Sequence, residues 1–404
     1  MAAASDLDRP LTLMLVCGEP SGDQLGGQLM EGLKEVSGGR VHFTGVGGAS
    51  MTAHGLESLF PLDDTAVMGL REVVPKIPAI LRRVREATDF ALRTRPDAVV
   101  LIDSPDFTHR IAQRLKRIDH TIPTINYVAP QVWASRSYRA RKMARYFDLV
   151  LALLPFERTF FEKYGLRAEF VGHPVTERAS RMNGGAALRA RLGCSEETPL
   201  VAVLPGSRTN EIRFILPVFR EAIARLSKLV PGIVTVLPTL PHVIARVRKA
   251  TTDWPTPLHI VEGDDDKYAT FDAADVALAA SGTVTTELAL ARTPMVVAYR
   301  VGAITYALAR PLFRLRYFTL VNLLLDRRAV PEFLQGQAKP DALAAELARL
   351  LQDERASAEQ VADLEQAARA LGEGSEPASR RAARAIVGFA LANRSIVTHT
   401  QAAI

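Results

Sequence analysis

The chain has 404 residues, 48% of them hydrophobic and 23% charged, and a formal net charge of +6. It is too long for one compact core and suits two domains, and its composition excludes a disordered or low-complexity chain. The modest positive balance permits an anionic partner without selecting nucleic acid, membrane or nucleotide.

The first ten residues carry acids where a secretory signal needs positive charge and a long apolar run. No window reaches ~18 uninterrupted apolar residues, so no membrane-spanning helix is expected. Cys17 and Cys194 lie far apart beside small or apolar residues. They read as reduced structural thiols of a cytoplasmic protein.

From Leu11 onward strands and helices alternate. Leu11–Cys17 is an apolar strand stopping at Gly18, followed by a helix over 24–36 and a strand over 41–46 that stops in Gly45-Val-Gly-Gly48. A helix over 76–93, a strand over 98–103, a helix over 107–117 and strands over 124–128 and 149–154 follow. Turn-forming residues over 172–195, including Gly172-His-Pro174 and Met182-Asn-Gly-Gly185, read as a linker. The pattern restarts near 198, with strands over 200–204, 233–237, 258–261, 276–280 and 295–299, and beyond 341 the chain reads as helix.

Apolar strands alternating with helices predict parallel sheets covered on both faces. The expected fold is α/β, with two Rossmann-like doubly wound domains facing across a cleft. The expected domains are 1–175, completed by C-terminal helices from about 355–404, and 195–350.

The strand-end loops of the first half carry acids and aromatics. Gly18-Glu-Pro-Ser-Gly-Asp23 lacks a dinucleotide fingerprint. Its Glu19 and Asp23 would repel a pyrophosphate but suit sugar hydroxyls, while Ser21 or Asp23 also suits a helix cap. Asp103 ends a very apolar strand in Leu101-Ile-Asp-Ser-Pro-Asp-Phe107, where partial desolvation favours a general base; Asp106 is the helix-cap alternative. Gln131, Trp133 and Arg136 share one loop that suits a sugar or acyl chain, although core packing also explains Trp133. His173 reads either as a turn residue or as a cleft residue at the hinge.

The second half carries two turns suited to phosphate. Leu204-Pro-Gly-Ser-Arg-Thr-Asn-Glu-Ile212 and Ala280-Ser-Gly-Thr-Val-Thr-Thr-Glu-Leu288 each leave a strand through small residues and enter a helix. Such a turn offers backbone N–H groups and a positive helix end to an anion. Arg208 adds a guanidinium fork for phosphate oxygens. Glu287, one helical turn beyond Thr283, suits ribose hydroxyls. The pair reads as a site for a nucleoside diphosphate joined to another group. Asp264-Asp-Asp266 contains a D-x-D, but acids at a helix start favour the dipole, and Arg208 with two helix ends could neutralise a diphosphate. Neither a metal nor a cofactor is expected.

Taken together, these residues resemble the lipid-A-disaccharide synthase family, inverting glycosyltransferases of the two-Rossmann-domain (GT-B) class. The likeness runs over roughly 11–350 and is carried by Gly18-Glu-Pro-Ser-Gly-Asp23, Ala66-Val-Met-Gly69, Ile102-Asp-Ser-Pro-Asp-Phe107 and Tyr127-Val-Ala-Pro-Gln-Val-Trp133. It continues through Leu154-Pro-Phe-Glu157, Phe170-Val-Gly-His173, Leu204-Pro-Gly-Ser-Arg208, Ala280-Ser-Gly-Thr283 and Pro294-Met-Val-Val-Ala-Tyr-Arg300. Pro20, Ser135 and Val321 depart from the family's pattern.

The resemblance implies transfer of 2,3-diacylglucosamine from its UDP derivative to the 6-hydroxyl of 2,3-diacylglucosamine 1-phosphate, giving UDP and a β-1,6-linked disaccharide. It implies Asp103 as the base and Ser207, Arg208, Ser281, Gly282, Thr283, Glu287 and Asn322 as UDP contacts. Glu19, Ser21, Asp23, Gln131, Trp133 and His173 are left as candidate acceptor or sugar contacts. A UDP-sugar 2-epimerase of the same fold is the alternative. The substrates place the enzyme peripherally at the inner face of the inner membrane, without nucleic acid, and a homodimer is the assembly left open. Two stretches have interfacial chemistry: 67–83, with Val73, Val74, Ile77, Lys76, Arg82 and Arg83, and 304–320, with Tyr306, Leu312, Phe313, Tyr317, Phe318, Arg310, Arg314 and Arg316.

Overall fold

The computed structural model describes residues 9–65, 70–135, 137–302 and 316–402, with side chains except those at 70–76, 134–135 and 395–402. The chain divides into two units, Met1–Pro174 with Ser375–Ile404, and Val175–Gly374.

The first unit holds strands β1 (Leu11–Cys17), β2 (Val41–Val46), β3 (Ala98–Ile102), β4 (Thr124–Tyr127), β5 (Leu149–Ala152) and β6 (Ala168–Phe170). All pair in parallel in the order β2-β1-β3-β4-β5-β6. Side chains alternate across a strand, so β1 feeds two cores. Leu11, Leu13, Leu15 and Cys17 pack with Leu29, Met30, Leu33 and Ile386. Met14 and Val16 pack with Val84, Phe107, Ile111 and Leu115 on the other face. Burial pushes the Cys17 thiol up to about 12, with the Asp23 charge second, so it stays protonated and inert.

The helix Ala378–Ala402 returns to this unit and packs on the helix Pro20–Val36. Gly32 permits the approach, because a Cβ there would lie 3.0 Å from the Ser379 carbonyl oxygen. Arg394 then reaches the start of β1, donating to Pro10 O at 2.9 Å and to buried Asp97 at 2.6 Å. Asp97 in turn accepts the Thr12 N–H at 2.7 Å.

The second unit repeats the plan with β7 (Leu200–Leu204), β8 (Val234–Thr239), β9 (Leu258–Glu262), β10 (Val276–Ala280), β11 (Met295–Tyr299) and β12 (Glu332–Leu334). Their order is β12-β11-β10-β7-β8-β9, again parallel. The stretch 175–194, read as linker from its turn residues, belongs to this unit. Its helix Gly185–Arg191 packs on Asp264–Ala273, with Gly185 N–H donating to Asp272 at 2.7 Å. The helix Glu354–Ala370 also stays here, through Gln360, which accepts the Met295 N–H.

In both sheets the chain winds outward from the centre in opposite directions. The switch points lie between β1 and β3, and between β7 and β10. Open α/β sheets bind ligands at such points, beyond the carboxyl ends of the strands.

Candidate functional site

In the first unit the register sets Cys17 beside Ile102, so the loops after β1 and β3 start level. A Cβ on Gly18 would come within 2.8 Å of Ser104 Cβ, so glycine lets the two loops touch. Glu19, Ser21 and Asp103 gather there. The Ser21 hydroxyl donates to Asp103 Oδ2 at 3.4 Å. The Glu19 carboxyl is pushed above its ordinary range, first by burial and then by the charges of Asp103 and Asp106.

Asp103 and Ser104 adopt left-handed φ values of +51° and +45°. The backbone holds them: Asp103 N–H donates to Tyr127 O at 3.0 Å, and the Thr108 hydroxyl donates to Asp103 O at 2.6 Å. Asp106 lies exposed in the first turn of the helix Pro105–Ile118.

Asp23 does something other than grip a sugar. It is 6% exposed and accepts the N–H groups of Gly48 at 2.7 Å, Ser50 at 2.9 Å and Met51 at 3.0 Å. It therefore caps the helix Ala49–Ala53 and pins the Gly45–Gly48 turn.

Beyond β4, Val128 is also left-handed at φ +69°. Gln131 is exposed. Trp133 is half-buried: its indole N–H donates to Glu157 Oε1 at 3.0 Å, and its ring meets Phe156 edge-on at 4.9 Å. Arg136 lies outside the described residues. His173 is half-buried beside Gly172, whose φ is +89°.

In the second unit β7 and β10 pair with Ala279 beside Leu204. Ser207 and Arg208 are exposed on one loop, with Gly282 and Thr283 on the other. Ser281 is half-buried and donates to Phe318 O at 3.3 Å. The first turn is not open in the way its sequence suggests. Glu211 Oε2 accepts Ser207 N–H at 2.9 Å and Arg208 N–H at 3.0 Å, and Oε1 accepts the Arg208 guanidinium at 3.1 Å. An internal carboxylate thus takes up the N–H groups that the sequence reading offered to an anion. His242 Nε2 adds a contact to Ser207 O at 3.0 Å.

Glu287 does not stand open for a ribose. It is 2% exposed, with Arg178 at 2.8 Å on Oε1 and Lys267 at 2.8 Å on Oε2. Asn322 is wholly buried. Its amide donates to Val330 O and accepts Val330 N–H, both at 2.8 Å, so it holds the approach to β12. Asp264, Asp265 and Asp266 occupy the first turn of the helix Asp264–Ala273, where Arg181 reaches Asp265 at 3.0 Å and Arg191 reaches Asp266 at 2.6 Å. That is the dipole arrangement expected of acids at a helix start.

Sequence reasoning missed Glu211, Arg178, Lys267 and Glu157. Glu211 was visible as an acid three residues after Arg208, the spacing of a capping box. Arg178 and Lys267 lie 109 and 20 residues from Glu287, beyond any local signal.

A model of the lipid-A-disaccharide synthetase family matches residues 13–387. The lipid-A-disaccharide synthase of Rhodospirillum centenum is 48% identical over 379 residues, spanning 94% of this chain and 94% of the relative. Among solved structures, a putative UDP-N-acetylglucosamine 2-epimerase from Listeria monocytogenes superposes with a TM-score of 0.61 at 14% identity, covering 91% of this chain and 93% of its own. MurG from Acinetobacter baumannii gives a TM-score of 0.56 at 14% identity, covering 94% and 100%. At such identities the structural likeness carries the two Rossmann-like folds and no chemistry.

Proposed function

The chain belongs to the lipid-A-disaccharide synthetase family, and from that premise we propose how its two switch points divide the work. The enzyme transfers 2,3-diacylglucosamine from UDP-2,3-diacylglucosamine to the 6-hydroxyl of 2,3-diacylglucosamine 1-phosphate. The hydroxyl oxygen attacks the anomeric carbon, its proton passes to Asp103, and the bond from that carbon to the phosphate oxygen breaks. UDP departs with the electron pair, and the anomeric centre inverts to the β-1,6 linkage. The observation that carries this reading is the family match across both units together with Asp103 at the β1/β3 switch point, beside Glu19 and Ser21.

UDP is held in the second unit by Ser207, Arg208, Ser281, Gly282 and Thr283, with Glu287 and Asn322 bracing those loops from behind. Arg208 leaves Glu211 to meet the charge that grows on the departing diphosphate. Glu19, Ser21, Gln131, Trp133 and His173 face the acceptor or the transferred sugar. The donor charge is met by protein groups, without a metal.

The enzyme works peripherally, at the inner face of the inner membrane, because both substrates carry acyl chains. No helix among the described residues is long and apolar enough to cross a membrane. Ile77 and Leu81, one turn apart on the helix Leu70–Thr94, are 43% and 39% exposed, and Arg82 beside them is exposed. Apolar insertion beside a cation suits an anionic lipid surface. Arg83 is not part of this face: Asp64 holds its Nε at 2.9 Å, and it lies 4.7 Å over the Phe60 ring. The side chains of Val73, Val74, Lys76 and residues 304–315 lie outside those described.

Mass spectrometry of products from the two diacylated substrates tests the reaction. The disaccharide 1-phosphate, with UDP release that depends on the lipid acceptor, is expected; UDP release without acceptor, or an epimerised donor, would refute it.

A further inference from the structure

Glu157 is 2% exposed, and nothing in the reaction as derived uses it. It stands in the first turn of the helix Pro155–Glu162, with its side chain folded back. Oε2 accepts the backbone N–H groups of Leu153 and Leu154, each at 3.1 Å. That cap needs one oxygen, and glutamine supplies it as well as glutamate does. The other oxygen faces the Trp133 indole N–H at 3.0 Å. With N–H donors on both sides, an ionised carboxylate offers acceptors to both, whereas an amide would set an NH2 against the indole. An acid in so dry a place is costly. The Trp133 contact, not the cap, is what calls for it.

Trp133 stands in the short helix Val132–Ser135, just beyond β4. The segment between begins at left-handed Val128 and carries exposed Gln131, and Tyr127 immediately upstream accepts the Asp103 N–H. A β-branched residue keeps a positive φ only where its surroundings over-determine it. The Trp133–Glu157 bond anchors the far end of that segment.

We propose that Glu157 is a positioning residue: by holding the Trp133 indole it fixes the loop 128–135 that aligns the acceptor toward Asp103. The proposal rests on the synthase reading. Glu157 touches no substrate, and the residues assigned to UDP lie in the second unit.

Two variants separate the tether from the cap. Glu157→Gln keeps the cap oxygen and removes the acceptor facing the indole. Trp133→Phe keeps a ring on Phe156 and removes the donor. Each should raise the KM for detergent-dispersed lipid acceptor by roughly tenfold, the scale of one charge-assisted hydrogen bond, while UDP affinity measured by calorimetry stays unchanged. The double variant should be no worse than the worse single one. The chain has two tryptophans, so in a Trp254→Phe background the emission reports Trp133, and Glu157→Gln should shift it to the red. Unchanged acceptor KM and emission would overturn the proposal, as would an equal loss of UDP affinity, which marks a general structural defect. If Glu157→Gln does not fold, Trp133→Phe, which leaves the cap intact, still overturns the proposal when the acceptor KM stays unchanged. A wild-type enzyme that makes no disaccharide sinks the synthase reading instead, and the emission shift then decides on the tether alone.

Discussion

The backbone N–H of Asp103 donates to the carbonyl oxygen of Tyr127 at 3.0 Å, joining the ends of β3 and β4. Both chains leave the ordinary backbone regions there, with φ at +51° for Asp103 and +69° for Val128. The candidate base is thus held by main chain as well as by its neighbours.

That geometry chooses the substitution. Asparagine tolerates a left-handed φ about as well as aspartate does, and alanine does not. Asp103→Asn should therefore fold normally, keep UDP affinity, and lose turnover by roughly 10²–10⁴. Steady-state rates beside calorimetric UDP titration check it. Near-normal turnover would hand the role to Glu19 or Asp106.

Arg208 and Glu211 should act in opposite directions. Arg208→Ala removes a phosphate fork and should weaken UDP binding by roughly ten- to a hundredfold. Glu211→Gln leaves an oxygen for the Ser207 and Arg208 N–H groups but removes a negative charge beside the diphosphate, so UDP should bind more tightly. The gain should shrink as salt is added. Weaker binding in the glutamine variant would show that the carboxylate is needed where it stands. Activity is expected to persist in excess EDTA, and an absolute Mg²⁺ requirement would return attention to Asp264–Asp266.

Glu287→Ala should first be a stability defect. It leaves Arg178 and Lys267 facing each other without their carboxylate, and breaking a buried pair costs about 3 kcal/mol at the low end. Arg178 and Lys267 are themselves partly open to solvent, which softens the loss. Chemical denaturation should show the change without UDP present. Full stability with weakened UDP binding would restore the direct ribose contact.

Burial pushes the Glu157 carboxyl from 4.5 up to about 7, against the hydrogen bonds from Trp133, Leu154 and Leu153. A raised carboxyl favours the folded state below its unfolded value, and that advantage is lost as pH rises through the folded one. Between about pH 4.5 and 7.5, wild type should lose roughly 3 kcal/mol relative to Glu157→Gln. Trp133 emission in the Trp254→Phe background should titrate with a midpoint near neutrality. A flat profile would place the ionisation elsewhere.

Ile77→Ser with Leu81→Ser should leave the fold intact, because both side chains are exposed. Sedimentation with anionic vesicles should fall, as should turnover on vesicle-borne acceptor. Activity on detergent-dispersed acceptor should fall less. Unfolding of the double variant would mean that these residues serve the core.

The central strands were legible because buried parallel strands are near-continuous apolar runs bounded by glycine or acids, as in Leu11–Cys17 and Val276–Ala280. The edge strands Ala168–Phe170 and Glu332–Leu334 were not, since three residues hold no periodicity. Loop positions were legible for the same reason as the strands. The use of each loop residue was not. Asp23 looked like Glu19 in sequence, yet one caps a distant turn and the other lies beside Asp103, a difference made by contacts with residues 48–51 and 103. Glu287 likewise read as an open contact, yet Arg178 and Lys267, 109 and 20 residues away, hold its carboxylate.

The first unit is written in two pieces, with the whole of the second unit inserted between them. During synthesis the β1 sheet therefore emerges long before the helix that covers Leu29 and Leu33 and carries the Arg394 clamp on Asp97. At about 5–20 residues per second, that face waits roughly ten to forty seconds for its cover. The uninterrupted second unit can mature first on the ribosome. A nascent chain stalled before residue 375 would then expose a sticky apolar face to holding chaperones.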